Sequence, residues 1–419
     1  MNILFLSQIL PYPLDAGPKT RAYYVLRYLA QGHRVTLLSF VREADRPTAL
    51  DHLRTFCDAV YTVQMRRSRL RDAQYLAQSL GADTPFLIAR DTAPEMAERV
   101  RQLMGSGEFD AVHADQLWMA PYALLARDAA PPQRRPYLVL DQHNAVFQIP
   151  RRLAHNEGNI FKRRVLELEA RKLLRYEVAV CDRFDHVAWV TREDFAALPT
   201  VGAPSTIIPI CVDPHRQPPL ARRPDARRVT FLGGLHWPPN AEGMAWFARE
   251  VWPQVQAQAP EAVLTVIGKD PPQALLDLKG PQIEITGYVD DPRPYLAETA
   301  AFIVPLHAGG GMRVKILDAW QWGLPLVTTT IGAEGIRVRD GYNALVADTA
   351  QALADAVAHL LRDSRLAHRI ASAGRATVEA EYDWRSVYRA WQAIYSDEAL
   401  EGEREVRQAA SPQVREAYT

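Results

Sequence analysis

Short runs of aliphatic and β-branched residues alternate with longer stretches of helical period from the first residue onward, and the series occurs twice along the chain. Such alternation is the signature of βαβ units, in which a parallel sheet is covered by helices on both faces. The first series predicts strands near residues 2–7, 34–40, 59–64, 110–113, 137–140, 186–190 and 206–209, with the clearest helices at 18–31, 92–104, 116–128 and 160–181. The second predicts strands near 228–232, 263–268, 283–287, 300–305, 325–329 and 344–347. Between them, residues 209–228 are dense in proline and arginine and follow neither period, which reads as a linker. The expected fold is α/β: two Rossmann-like doubly wound domains, 1–208 and 229–383, facing an interdomain cleft, followed by a helix over 384–398 and a charged tail over 399–419. Ligands of such sheets bind beyond the carboxyl ends of the strands, so the loops there are where chemistry is sought.

A chain of 419 residues is long enough for two such domains. Hydrophobic residues at 48% and charged residues at 23% are ordinary globular usage and exclude a mostly disordered or fibrous chain. Lys plus Arg equals Asp plus Glu at 49 each, which argues against a surface coated for nucleic acid. The balance is uneven, because residues 1–200 hold 27 basic and 23 acidic side chains and leave 22 and 26 for the remainder. The opening run from Met1 to Ser7 reads as a first strand rather than a secretory leader. No apolar run approaches the ~20 residues that span a bilayer. The chain is therefore expected to be cytoplasmic, at most resting on the inner face of the cytoplasmic membrane. Cys57, Cys181 and Cys211 are isolated, without zinc-ligand or redox spacing, and read as packing residues.

The strongest local signal is Pro305-Leu-His-Ala-Gly-Gly-Gly-Met-Arg-Val-Lys-Ile-Leu-Asp, where a buried strand ends, Gly309, Gly310 and Gly311 follow, and a helix begins. Glycines ahead of a helix N-terminus let backbone N–H groups approach a ligand closely, and the helix dipole adds positive potential, so phosphate is the natural guest. Lys315 is one of six lysines in the chain and falls on the helix face of Asp318, opposite Ile316, Leu317 and Trp320. A surface ion pair on a tightly turned helix is the competing reading. Gly233 and Gly234 form a second strand–turn–helix junction, with Asn240 expected as its N-cap. In the first half, Gly17 and Arg21 lie at the mouth of the sheet, His143 and Asn144 directly follow a strand, and Asp115 and Gln116 occupy an equivalent strand end.

Together these loops resemble a glycosyltransferase of the large retaining family 4, of GT-B fold. The resemblance covers roughly residues 1–398 and is most specific over 309–335, with support from Trp237-Pro-Pro-Asn-Ala-Glu-Gly, Asp141-Gln-His-Asn and Glu381-Tyr-Asp-Trp. More narrowly, it is similar to members associated with bacterial exopolysaccharide clusters. The resemblance implies a UDP- or GDP-sugar donor, a glycan or lipid-linked acceptor, retention of anomeric configuration and no obligatory metal or other cofactor. It places Asp318 at the ribose, as the second acid of a Glu-x7-Glu motif, and Arg313, Met312 and Lys315 near the pyrophosphate. It also puts His143 near the donor sugar and Gly17 near the phosphates, and has the terminal helix cross back onto the first domain. Three departures stand out: Gly310 replaces the first acid, Asp318 is one methylene short of Glu, and the basic residues that many members carry after the first strand of the second domain are missing from Gly234-Leu-His-Trp-Pro-Pro-Asn.

A nucleotide-sugar epimerase of the same architecture, or a sugar-nucleotide sensor without turnover, are the alternatives. Acceptor choice is expected in loops over 64–80 and 146–165. Residues 151–175 carry Arg151, Arg152, Lys162, Arg163, Arg164, Arg171, Lys172 and Arg175 with Leu166, Leu173 and Leu174, a basic amphipathic stretch suited to anionic lipid. A solvated helix packed by its leucines is the competing reading.

Overall fold

The strands of both series are buried on two faces, as parallel strands between helical layers must be: Ile3, Leu4, Phe5 and Leu6 are all fully covered. The computed structural model describes residues 1–396 and 398 apart from positions 44, 67 and 224, so the tail expected over 399–419 lies outside the described residues. The chain divides into two units, Met1–Pro209 joined by the segment from Trp384 onward, and Ile210–Asp383.

The first unit holds β1 (Asn2–Ser7), β2 (Arg34–Val41), β3 (Ala59–Gln64), β4 (Ala111–Asp115), β5 (Tyr137–Gln142), β6 (His186–Trp189) and β7 (Ser205–Ile207). These form one parallel sheet in the order β3-β2-β1-β4-β5-β6-β7. The order reverses between β1 and β4, which is the switch point of a doubly wound sheet. Register places Ser7 beside Asp115 and Asp115 beside Asp141, so three polar residues line up at the carboxyl ends of adjacent strands. Helix Ile160–Cys181 has the bounds its pattern predicts, and Asn159 caps it by accepting from the amides of Phe161 and Lys162. From Trp384 onward, two short helices, Trp384–Val387 and Ala390–Ile394, bury Trp384, Tyr388, Trp391 and Tyr395 in this unit.

The second unit repeats the scheme with β8 (Arg228–Leu232), β9 (Val263–Ile267), β10 (Ile283–Gly287), β11 (Thr299–Val304), β12 (Leu326–Thr328) and β13 (Leu345–Val346). All six are parallel, ordered β10-β9-β8-β11-β12-β13. Ahead of β8 the Pro- and Arg-rich segment is tied to this unit by Leu220 N to Trp322 O and Arg223 N to Ala297 O. Both units are thus Rossmann-like.

Several local expectations are corrected. Residues 69–81 and 148–156, read as loops, are helical, their polar arginine-rich composition having hidden the period. The helix expected over 116–128 begins only at Ala120, after a 3-10 turn, because Gln116 takes φ 75°. Asn240 is no N-cap: Trp237 holds that place, and the Asn240 side chain reaches back to accept and donate elsewhere. All three cysteines are buried and form no disulfide among the described residues. Among the described residues no helix is long and apolar enough to cross a membrane.

Candidate functional site

In the second unit the functional loops are those after β8, β11 and β12. The turn after β11 uses Gly309 at φ 126° and Gly311 at φ 72°, both in the region that favours glycine, before helix Val314–Gln321 starts. A Cβ on Gly309 would also meet the Arg313 guanidinium at 3.0 Å. Arg313 itself is buried and folds over this turn, donating Nη1 to the carbonyls of Gly310 and Gly311 at 2.6 Å each, with Glu334 3.6 Å away. Met312 is buried alongside.

One turn on, Lys315 ties this helix to the companion loop. Its Nζ donates to Asn240 Oδ1 at 2.5 Å, and Asn240 Nδ2 donates to the carbonyl of Gly234 at 2.7 Å. The ammonium also lies 4.7 Å from the Phe231 ring centroid, and a Cβ on Gly233 would come within 3.1 Å of it. The missing side chain at Gly233 is therefore what leaves room for Lys315 at the loop. Burial pushes the Lys315 ammonium down to about 7, with Arg313 adding repulsion and Asp318 opposing it. Burial likewise pushes the Asp318 carboxyl up to about 7, against Lys315. Two groups shifted toward neutrality by burial thus stand on the helix that leaves the glycine turn.

The first unit is finished differently. Arg21, expected near the phosphates, is fully buried in a structural role instead. Its Nε and Nη2 grip Asp141 at 2.9 Å each, Nη1 donates to Pro209 O at 2.7 Å, and its guanidinium lies 5.3 and 5.2 Å from the ring centroids of Tyr388 and Trp391. A guanidinium so committed leaves no fork for a phosphate. Burial alone would raise the Asp141 carboxyl, but Arg21, His113 and His143 hold it well below the usual carboxylate range. Gly17 opens the helix Gly17–Leu29 beyond β1, beside the Lys19–Asp15 ion pair.

His143 follows β5, its Nε2 2.9 Å from Asp115 Oδ1; Ser7 Oγ donates to the other oxygen of Asp115 at 2.9 Å. The loop beneath it is pinned by carboxylates that the sequence reading missed. Asp194 accepts from the amide of Ala145, and Glu177 accepts from those of Val146 and Phe147 and from Gln142. Burial pushes Glu177 up to about 8, with the two amides opposing. A carboxylate four residues after Leu173, on the buried face of its helix, was the available signal. His113, Asp115 and Asp141 lie close enough to hold a cation. Arg21 already supplies that charge, and His113 Nδ1 is engaged with the Tyr395 hydroxyl at 2.7 Å.

Comparison with known proteins meets this geometry at the second unit. Residues 226–363 match the family model described as glycosyl transferases group 1. Over 400 residues the chain is 22% identical to an uncharacterized 44.6 kDa protein in the cps region of Klebsiella pneumoniae, covering 92% of this chain and 98% of that one. It is 28% identical over 193 residues to a phosphatidyl-myo-inositol mannosyltransferase of Mycobacterium leprae, covering 44% of this chain and 50% of that one. Among solved structures, Anabaena HepE in complex with UDP superposes with a TM-score of 0.65 at 16% identity, covering 94% of this chain and 99% of that one. That likeness establishes the fold as GT-B.

Proposed function

We propose that the chain transfers a sugar from a UDP- or GDP-sugar to a hydroxyl of a glycan or lipid-linked glycan, with retention, in bacterial exopolysaccharide assembly. The observation that carries this reading is the glycine turn at 309–311 running into a helix whose Lys315 bridges to the Gly233–Gly234 loop. As the bond from the anomeric carbon to the diphosphate breaks, negative charge grows on the leaving oxygen, and fixed cations and amides aimed there lower the barrier. Lys315 and the amides after Gly309 are assigned to that diphosphate, Arg313 to shaping the turn and adding its charge, and Asp318 to the ribose. The acceptor oxygen bonds to the anomeric carbon on the face the diphosphate leaves, and its proton passes to the departing phosphate oxygen. His143 is assigned to the sugar. The role that the absent acid at Gly310 plays elsewhere falls to backbone amides, with no obligatory metal in the scheme.

Product analysis after incubation with labelled UDP- and GDP-sugars tests the reading. Transfer or slow hydrolysis supports it, an epimerised sugar points to an isomerase, and binding without change points to a sensor.

For the acceptor we propose peripheral contact with anionic membrane at the cytoplasmic face. The leucines first expected to face lipid do not: Leu173 is fully buried and Leu174 packs against the core. Lys172 is buried too, donating to the carbonyls of Ser79 and Ala82. The exposed apolar side chains are instead Ile160, Phe161 and Val165 at the helix start, with Phe161 81% exposed amid exposed Lys162, Arg163 and Arg164. This charge and apolar pattern suits anionic lipid. Sedimentation with phosphatidylglycerol vesicles should fall with salt and in Phe161→Ser and Arg163→Gln/Arg164→Gln variants; indifference to all three would refute it.

A further inference from the structure

We propose that Gln116 and His143 form a hydroxyl-binding pair at the switch point of the first sheet, and that Asp115 is the positioning residue that makes His143 an acceptor. The inference deepens the transferase reading, because the hydroxyl it would hold is one on a sugar.

Gln116 sits immediately beyond β4 with φ 75° and ψ 158°, a region essentially reserved for glycine. It is only 6% exposed, and its amide is fixed to the carbonyl of Asp141 at 2.9 Å. Glycine would occupy that backbone without strain, so a side chain retained there has a use other than folding. Among the described residues Gln116 Nε2 is buried without a hydrogen-bond partner. His143 follows the neighbouring strand β5, where Asp115 and Asp141 are register partners. A carboxylate only accepts, so in the neutral ring the Asp115 Oδ1 contact at 2.9 Å requires the His143 proton on Nε2 and leaves Nδ1 with its lone pair. Nδ1, too, is buried without a partner among the described residues.

Just beyond two neighbouring strands, Gln116 thus offers an unsatisfied donor and His143 an unsatisfied acceptor, while His113 Nε2 and Gln142 Oε1, also without a partner among the described residues, belong to the strands themselves. Buried polar groups are rarely left so. A carboxylate or phosphate oxygen would satisfy only the amide, and an ammonium only the imidazole. A hydroxyl gives its proton to one and accepts from the other. The source is either the sugar being transferred or the acceptor.

Three measurements decide. Nitrogen-15 spectra of the wild-type protein should show His143 protonated at Nε2 with Nδ1 bare; the opposite tautomer would overturn the assignment to Asp115. Gln116→Gly should keep Tm within ~2 °C or raise it, while kcat/KM with the active donor falls about 10- to 100-fold. A clear drop in Tm, or undiminished turnover, would show that Gln116 serves the fold alone. Asp115→Asn can hand an N–H to Nε2 and shift the ring proton to Nδ1, so kcat should fall while affinity for free UDP or GDP holds. Deoxy donors and deoxy acceptors then name the source: the analogue whose penalty disappears in the Gln116→Gly background lacks the hydroxyl in question, and full additivity with every analogue contradicts the pair. Should the wild type turn over no nucleotide sugar, the transferase reading fails, and the tautomer and Tm results still judge the pair by themselves.

Discussion

At the carboxyl end of the first sheet, buried Arg21 is hydrogen-bonded to Asp141 and buried His143 to Asp115, with His113 Nε2 3.7 Å from Asp141. At the same end of the second sheet, glycines form the turn with buried Arg313 folded over it, and Lys315 and Asp318 are each shifted toward neutrality by burial. Strand order is the same in both up to the sixth strand. The difference teaches that the charges of the first end are largely paired with one another, whereas Lys315 and Asp318 of the second are shifted by burial. We propose that the second is the end that receives a dianionic ligand.

The comparison breaks most visibly if the first network is not structural. Asp141→Ala strands the Arg21 guanidinium in the interior and should cost about 3–5 kcal/mol, read as a lowered urea midpoint. Pairing it with Arg21→Met should recover much of that loss. An Asp141→Ala protein of wild-type stability would dissolve the distinction.

The second end should behave in the opposite sense. Lys315→Ala is expected to lower transfer by about 100- to 1,000-fold without lowering Tm, since the ammonium is held against its preference. Equal turnover would remove Lys315 from the diphosphate. Gly374→Ala sharpens the point through packing: its Cβ would stand 2.3 Å from Trp320 Cδ1, and Trp320 lies on the helix of Lys315 and Asp318. An overpacking penalty of about 1–3 kcal/mol should therefore accompany weaker UDP or GDP binding, measurable by thermal shift.

The smallest effect concerns pH. Asp318, raised in the folded chain, binds protons more tightly there than when unfolded, so its contribution declines as pH rises from about 4 to 7. Lys315, lowered to about 7, favours the folded state progressively from there to about 10.5. Asp318→Asn should thus be slightly more stable than wild type at pH 7, by about 1 kcal/mol after allowing for solvent screening, and indistinguishable from it near pH 4.

Much of this organisation was legible in the residues. Both sheets could be read from aliphatic runs such as Asn2–Ser7 and Thr299–Val304, and the Gly309–Gly311 run announced its turn because Gly309 and Gly311 take positive φ, which favours glycine. Arg21 could not be read, because its partner Asp141 is 120 positions away and a lone arginine in a first loop looks the same paired or free. Gln116 was similarly opaque: a glutamine carries no mark of positive φ. Asn240 was assigned a local cap, while its actual partners, Gly234 and Lys315, are set by tertiary contact. Local pattern fixes elements, and long-range pairing decides which polar residues remain available to a ligand.

The claim that the second end receives a diphosphate is tested most directly by counting protons. With Asp318 replaced by Asn, its carboxyl no longer titrates beside Lys315, and a bound diphosphate should draw the Lys315 ammonium fully into its charged form. Calorimetry of UDP and GDP binding to Asp318→Asn at pH 7, in two buffers of different ionisation enthalpy, should show uptake of at least about half a proton by the protein. Binding of either nucleotide with no proton uptake would contradict the account.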